Sequence, residues 1–217
     1  MRTATRLATF VRHWQKARQV PVPRCSLLAS AAARARGEPD AHELILAGLP
    51  IIGDSVTELD VPLRVVFARS FFDSPLFRVE RALLHLVGQG VATSNAEIQT
   101  MAFDSEAEHV ACFRLVEKTR CETLFRWSVA PRGAPAGGTW LRAEQRADAS
   151  VSLSLGSFVD RTEAGERRKL SSAMRFAYSQ VLVPLHFSYS RLLLAAAAAR
   201  FEEDVSRCRR HAVASRH

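Results

Sequence analysis

The chain has 217 residues, 47% hydrophobic and 24% charged, which suits one domain with a real core and excludes whole-chain disorder, collagen-like repeats and a polytopic membrane protein. Four cysteines are too few for a disulfide framework. The formal charge of +8 invites a nucleic-acid reading, yet residues 1–36 hold eight Lys/Arg and no acid, the tail from Arg207 adds four, and the body 37–206 keeps 18 bases against all 22 acids, a net −4; a phosphate-binding domain carries its excess on the folded body.

Leu7, Phe10, Val11 and Trp14 fall at i, i+3, i+4 and i+7, one stripe of a helix. Arg2, Arg6, Arg12, His13 and Lys16 fill much of the rest. An amphipathic, Arg-rich, acid-free start reads as a mitochondrial presequence or, if retained, a docking arm over 1–36. The same composition also suits an arm lying on RNA or anionic lipid. Residues 27–35 form a short helix in this reading, and Pro21, Pro23 and Gly37–Asp40 punctuate the approach to a domain over 43–206.

Asp54–Val61 alternates weakly and ends at Pro62, which predicts a first, edge-like strand. Two helices follow, Leu63–Phe72 and a second opened by Ser74-Pro75. The second is expected to bury Leu76, Val79, Leu83, Leu84 and Val87 and to stop at Gly88. Strands are expected at 97–103, 108–116, 119–129, 140–146 and 149–159, with Pro131–Gly138 a loop. Thr119–Val129 alternates most clearly, placing Cys121, Thr123, Phe125, Trp127 and Val129 on one face. A long helix over about 163–204 follows, kinked or broken at Pro184, and then a basic tail, 207–217. The order predicts an α+β helix-grip architecture: a curved antiparallel sheet with one wet face, wrapped round a long C-terminal helix, with two short helices after the first strand.

Three segments carry a resemblance. Phe67–Gly88 (FARSFFDSPLFRVERALLHLVG), the strand pair 108–129, and Met174–Arg200 with Tyr178 and Pro184-Leu185-His186 are similar to an uncharacterised bacterial domain-of-unknown-function family, found alone or appended to Rossmann-type NAD(P)-binding proteins. The resemblance covers roughly 54–201, with Leu185 where an aromatic is more usual, and implies a helix-grip fold like START, Bet v 1 and polyketide-cyclase domains. It implies no catalytic residue.

The residues nominate none either. G-x-S-x-G, Walker A and H-E-x-x-H are absent from the sequence. Glu106, Glu108 and His109 are spaced as solvated turn residues rather than metal ligands. Cys112 and Cys121, on neighbouring strands, read as buried thiols. His186, after Pro184, either points into a ligand cavity or partners a carbonyl freed by the proline. A bilayer-spanning helix over Phe176–Ala199 is disfavoured by His186 and Arg191.

Two functions are expected to compete. The first is a non-catalytic accessory subunit of a large mitochondrial assembly, a membrane-bound respiratory-chain or ATP synthase complex. It lies on the matrix side of the inner membrane, needs no cofactor, and contacts partners or lipid through Arg2, Arg6, Arg12, Arg207, Arg209 and Arg210. The second is a carrier of a lipid or other apolar ligand in a cavity lined by Phe113, Phe125, Trp127, Leu153, Tyr178 and His186. A mitoribosomal role ranks third, because the negative body opposes it.

Overall fold

The computed structural model describes residues 2–49, 51–52, 55–56, 61–86, 88, 92–128, 136–164 and 183–214; for 2–4, 51–52, 55–56, 163–164, 183–187 and 208–214 it describes the backbone only. Seven strands form one open sheet: β1 (Arg18–Gln19), β2 (Asp40–Leu46), β6 (His109–Val110), β7 (Phe113–Lys118), β8 (Glu122–Ser128), β9 (Ala136–Gln145) and β10 (Val151–Val159). Three short strands, β3 (Ile51–Ile52), β4 (Ser55–Val56) and β5 (Val61–Pro62), make a separate antiparallel sheet. The large sheet is antiparallel throughout, in the order β1-β2-β10-β9-β8-β7-β6. The meander β6 to β10 is thus completed by β2, the strand that precedes the helices, lying beside the last strand.

This corrects the expected first strand. The strand that joins the large sheet is β2, whose burial starts at Asp40, whereas Ser55–Val56 and Val61–Pro62 are fragments of the small sheet. Asp40 and His42 are buried polar residues in a strand whose apolar partners, Leu44 and Leu46, face the same side, so the pattern lacked an apolar beginning. The expected strand at 97–103 is also corrected. Asn95–Thr100 is a helix, α5, opened by a capping box in which Ser94 accepts from Glu97 N at 3.1 Å and Glu97 accepts from Ser94 N at 2.6 Å.

One face of the sheet packs on α3 (Leu63–Phe72), α4 (Pro75–Leu86) and the long α7 (Val183–Ala214). From α7, Leu194, Ala197, Ala198, Phe201 and Val205 enter the core beside Leu153 and Leu155 of β10 and Leu44 of β2. Of the long helix expected over about 163–204 the structure describes the part from Val183, with Pro184 its second residue; residues 165–182, and with them the expected kink or break, lie outside the described residues. The four-residue α6 (Arg161–Ala164) follows β10.

The other face is not wet. Helix α2 (Leu27–Arg34) covers it, burying Leu27, Leu28, Ala31 and Ala32 against Leu124, Trp140 and Phe158. Its N-terminus is fixed twice: Ser26 Oγ accepts from Ala29 N at 3.2 Å, and the Glu122 carboxylate accepts from Leu27 N at 2.9 Å, a negative group at the positive helix end. The approach is close enough to demand glycine, since a Cβ on Gly156 would meet Leu28 at 2.4 Å and the Asp40 carbonyl at 2.7 Å. Gly137, expected in a loop, is likewise inside β9 and within 2.2 Å, by its missing Cβ, of the Phe158 carbonyl. The fold therefore starts before residue 40: β1 and α2, grouped by sequence with a basic arm, are the edge and outer layer of the sheet.

Candidate functional site

The interior is built by α3 and the loops around it. Phe71, Phe72, Phe77, Phe103, Phe113 and Phe125 form one aromatic cluster, with Phe72 central: its ring lies 4.9 Å from Phe125, 5.1 Å from Phe71 and Phe77, and 5.7 Å from Phe103. Offset and edge-on rings at these distances fill space and add to the area they bury. Of the expected cavity-lining residues, Phe125 and Leu153 are fully buried inside this packing. Phe113 and Trp127 do border a cavity. Tyr178 lies outside the described residues, and of His186 only the backbone, in the first turn of α7, is described.

That cavity, about 230 Å³, sits between α4, α7 and the inner face of β8–β10. Sequence reasoning missed its polar part. Glu80 of α4 turns inward and accepts a hydrogen bond from the Tyr189 hydroxyl of α7. Burial raises the Glu80 carboxyl above its ordinary range, only partly offset by the Tyr189 bond. Burial, and then the neighbouring Glu80 charge, push the Tyr189 hydroxyl up in turn. Cys112 also borders the cavity, its thiol raised by burial. The helical spacing Phe77, Glu80, Leu84 on α4 was the signal: Leu84 belongs to the expected stripe, but Phe77 and Glu80 take the interior in place of Val79 and Leu83.

The polar residues near β6 are structural. Glu108 is no solvated turn residue: its carboxylate accepts four backbone N–H bonds, from Ala102 (2.9 Å), Phe103 (3.1 Å), Asp104 (2.6 Å) and Ser105 (3.1 Å). Burial raises the carboxyl, but these four bonds outweigh it and hold the group below its usual range. Glu106 and His109 are exposed. Among the described residues no group of His, Cys, Asp and Glu could hold a metal, and Cys25, Cys112 and Cys121 are free thiols.

The N-terminal helix α1 (Arg2–Lys16) lies along α7. It docks by its polar side: Arg6 meets Glu203 at 2.8 Å, Arg12 meets Glu202 at 3.3 Å, and the buried His13 lies 3.2 Å from Glu202. Burial raises the Glu202 carboxyl, but the His13 contact and the nearby Arg12 and Lys16 charges more than offset it, so the group lies below its usual range. Arg191 of α7 donates to the Trp14 carbonyl at 3.2 Å. The apolar stripe is left outside, with Leu7 64%, Trp14 41% and Val11 38% exposed. On α4 the expected buried stripe divides: Leu76 and Leu84 pack against the core, Val79 and Leu83 are each 58% exposed because Phe77 and Glu80 take the inward side, and Val87 lies outside the described residues; Leu86 is 80% exposed.

Between these two stripes runs an open groove of about 530 Å³, walled by Leu7 and Phe10 of α1 and Leu76 and Val79 of α4, and floored by Leu192, Ala196 and Ala199 of α7. A buried ion network holds its base. Asp73, at the α3–α4 corner, bonds Arg78 and Arg200, each at 2.8 Å, and Gln99 at 3.0 Å; Arg200 also meets Asp204 at 3.2 Å. The geometry thus brings together Arg6 and Arg12 on α7's acidic turn, while Arg207 pairs with Asp204 at 3.3 Å on the same helix. Arg2, Arg209 and Arg210 are placed by backbone alone, in α1 and the last turns of α7.

Among the described residues no helix is long and apolar enough to cross a membrane. Comparison of the chain with protein-family models, curated proteins and solved structures finds no match.

Proposed function

We propose that this protein is a non-catalytic accessory subunit of a large mitochondrial assembly, a membrane-bound respiratory-chain or ATP synthase complex, built on a helix-grip domain. The observation that carries this reading is the inversion of interior and exterior. The inside, where a carrier would keep its ligand, is occupied by six of the chain's own phenylalanine rings, and two amphipathic helices leave large apolar residues outside, Leu7, Val11 and Trp14 on α1 and Val79, Leu83 and Leu86 on α4. Apolar faces of this kind mark contact with another surface. The antiparallel strand order, with β2 beside β10, three helices between β2 and β6, and α7 packed on the sheet, supports the helix-grip assignment. The acid-free basic start supports mitochondrial import, with α1 retained as a docking element.

A native gel of mitochondrial membranes, probed for this chain, tests the reading. Co-migration with a large complex is expected. Migration as a free monomer would overturn it.

A second reading, a carrier of a small ligand, is favoured by the cavity at Glu80 and Tyr189. At about 230 Å³ it is smaller than the roughly 300–1,000 Å³ usual for ligand pockets, so its occupant would be a small molecule rather than a lipid. A small ligand retained in native mass spectrometry, and lost in Glu80→Ala, would support this reading over the first.

A further inference from the structure

We infer that the outward stripes of α1 and α4 form one surface that lies on an anionic bilayer, with the two helices parallel to the membrane plane rather than through it. This deepens the docking role proposed above and rests on it.

Three features support a bilayer over another protein. The first is the orientation of α1. Its polar contacts with α7 are made by Arg6, Arg12 and His13, so Leu7, Val11 and Trp14 are left exposed; Leu76 and Val79 of α4 face Leu7 and Phe10 across the groove, and Leu83 and Leu86 are exposed further along α4. A helix that only needed a place on the fold would bury its apolar stripe there.

The second is charge. The two helices carry six Lys/Arg (Arg2, Arg6, Arg12, Lys16, Arg78 and Arg81) and one acid, Glu80, whose carboxylate is turned inward to Tyr189. Arg6, Arg12 and Arg78 are engaged by Glu203, Glu202 and Asp73, and Arg81 by Thr93 and Asn95, so the cation offered to anionic headgroups is the exposed Lys16, two residues from Trp14; a nearby cation adds about fivefold to binding. The acids Glu202 and Glu203 lie on α7, beneath α1, and engage its polar side.

The third is composition. A basic polar side, a Leu/Phe/Val stripe and an exposed Trp describe a helix that lies in the headgroup region. Trp14, 41% exposed, belongs where one side of a ring is apolar and the other wet.

The full chain is mixed with vesicles of equal parts phosphatidylcholine and phosphatidylglycerol, and in parallel with phosphatidylcholine alone, then separated by flotation. Binding to the mixed vesicles, weakened by salt and much weaker on phosphatidylcholine, is expected. A triple variant, Leu7→Ser, Val11→Ser and Leu83→Ser, removes only exposed side chains and is checked by its melting curve. It should lose about tenfold or more in vesicle affinity, whereas Lys16→Gln should lose about fivefold.

If the folded full chain ignores the mixed vesicles, the bilayer is not the occupant. If the triple variant binds as the parent does, the attraction is diffuse charge and the surface is not the one named. Either failure with retained co-migration on the native gel overturns the lipid contact while leaving the subunit reading standing, with a protein on the groove; loss of co-migration with vesicle binding intact does the reverse.

Discussion

Helices α1 and α2 make an instructive pair. Both lie in the acid-free first 36 residues, both are Ala- and Arg-containing, and either could pass for part of an import signal. They attach by opposite means. Helix α2 buries Leu27, Leu28, Ala31 and Ala32 on a glycine-bearing sheet face and has its first N–H groups capped from inside the fold. Helix α1 attaches through charged contacts at half-exposed positions, with one buried histidine, and keeps its apolar stripe outside. Burial of apolar area is worth far more than exposed ion pairs, so α2 is part of the fold and α1 is a reversible addition to it.

The largest effect should come from the α2 side. Leu28→Ala empties a fully buried position against Gly156 and should cost ~2–5 kcal/mol in urea unfolding. Equal stability of this variant and the parent would break the comparison at once. Next is Glu122→Ala, which strips the acceptor from the Leu27 N–H in a buried place and should cost ~1–3 kcal/mol. On the α1 side, Arg12→Ala should cost ~0.2–1 kcal/mol, shrinking with added salt. Leu7→Ala should stay within ~0.5 kcal/mol.

Two carboxylates sharpen the picture through pH. The carboxyl of Glu108 is held below its ordinary range, so its contribution is present above the unfolded carboxyl pKa and is lost as pH falls through the lower folded value. Glu108→Gln should weaken the fold at neutral pH and flatten its acid limb in melts across pH. The carboxyl of Glu80 is shifted upward by burial, so the folded state loses stability as pH rises from the unfolded value through the folded one. Glu80→Gln keeps an acceptor for Tyr189, removes the charge, and should melt higher than the parent at neutral pH but not in acid.

Much of this architecture is legible in the sequence, and the gaps have physical causes. The alternation of Val151, Leu153 and Leu155 against serines fixes β10 and its faces, and the Ser74-Pro75 start and the alanine run of α7 fix their helices. The covering of the second sheet face is hidden, because small residues on α2 signal weakly, and Gly156, which receives Leu28, lies on the serine-bearing face of β10 that reads as wet. On α4 both faces are apolar enough to bury, and only the three-dimensional position of Phe77 beside Phe71, Phe72 and Phe113 decides between them. The Glu80–Tyr189 contact joins residues 109 positions apart, which no local pattern can show.

Hydrogen exchange of the full chain, followed segment by segment, tests the contrast between the two N-terminal helices most directly. The amides of α2 should exchange only through global unfolding, at the rate of the core strand β10, while those of α1 should exchange through a separate opening of lower free energy that added salt accelerates. Protection of α1 equal to that of α2, and indifferent to salt, would contradict the account.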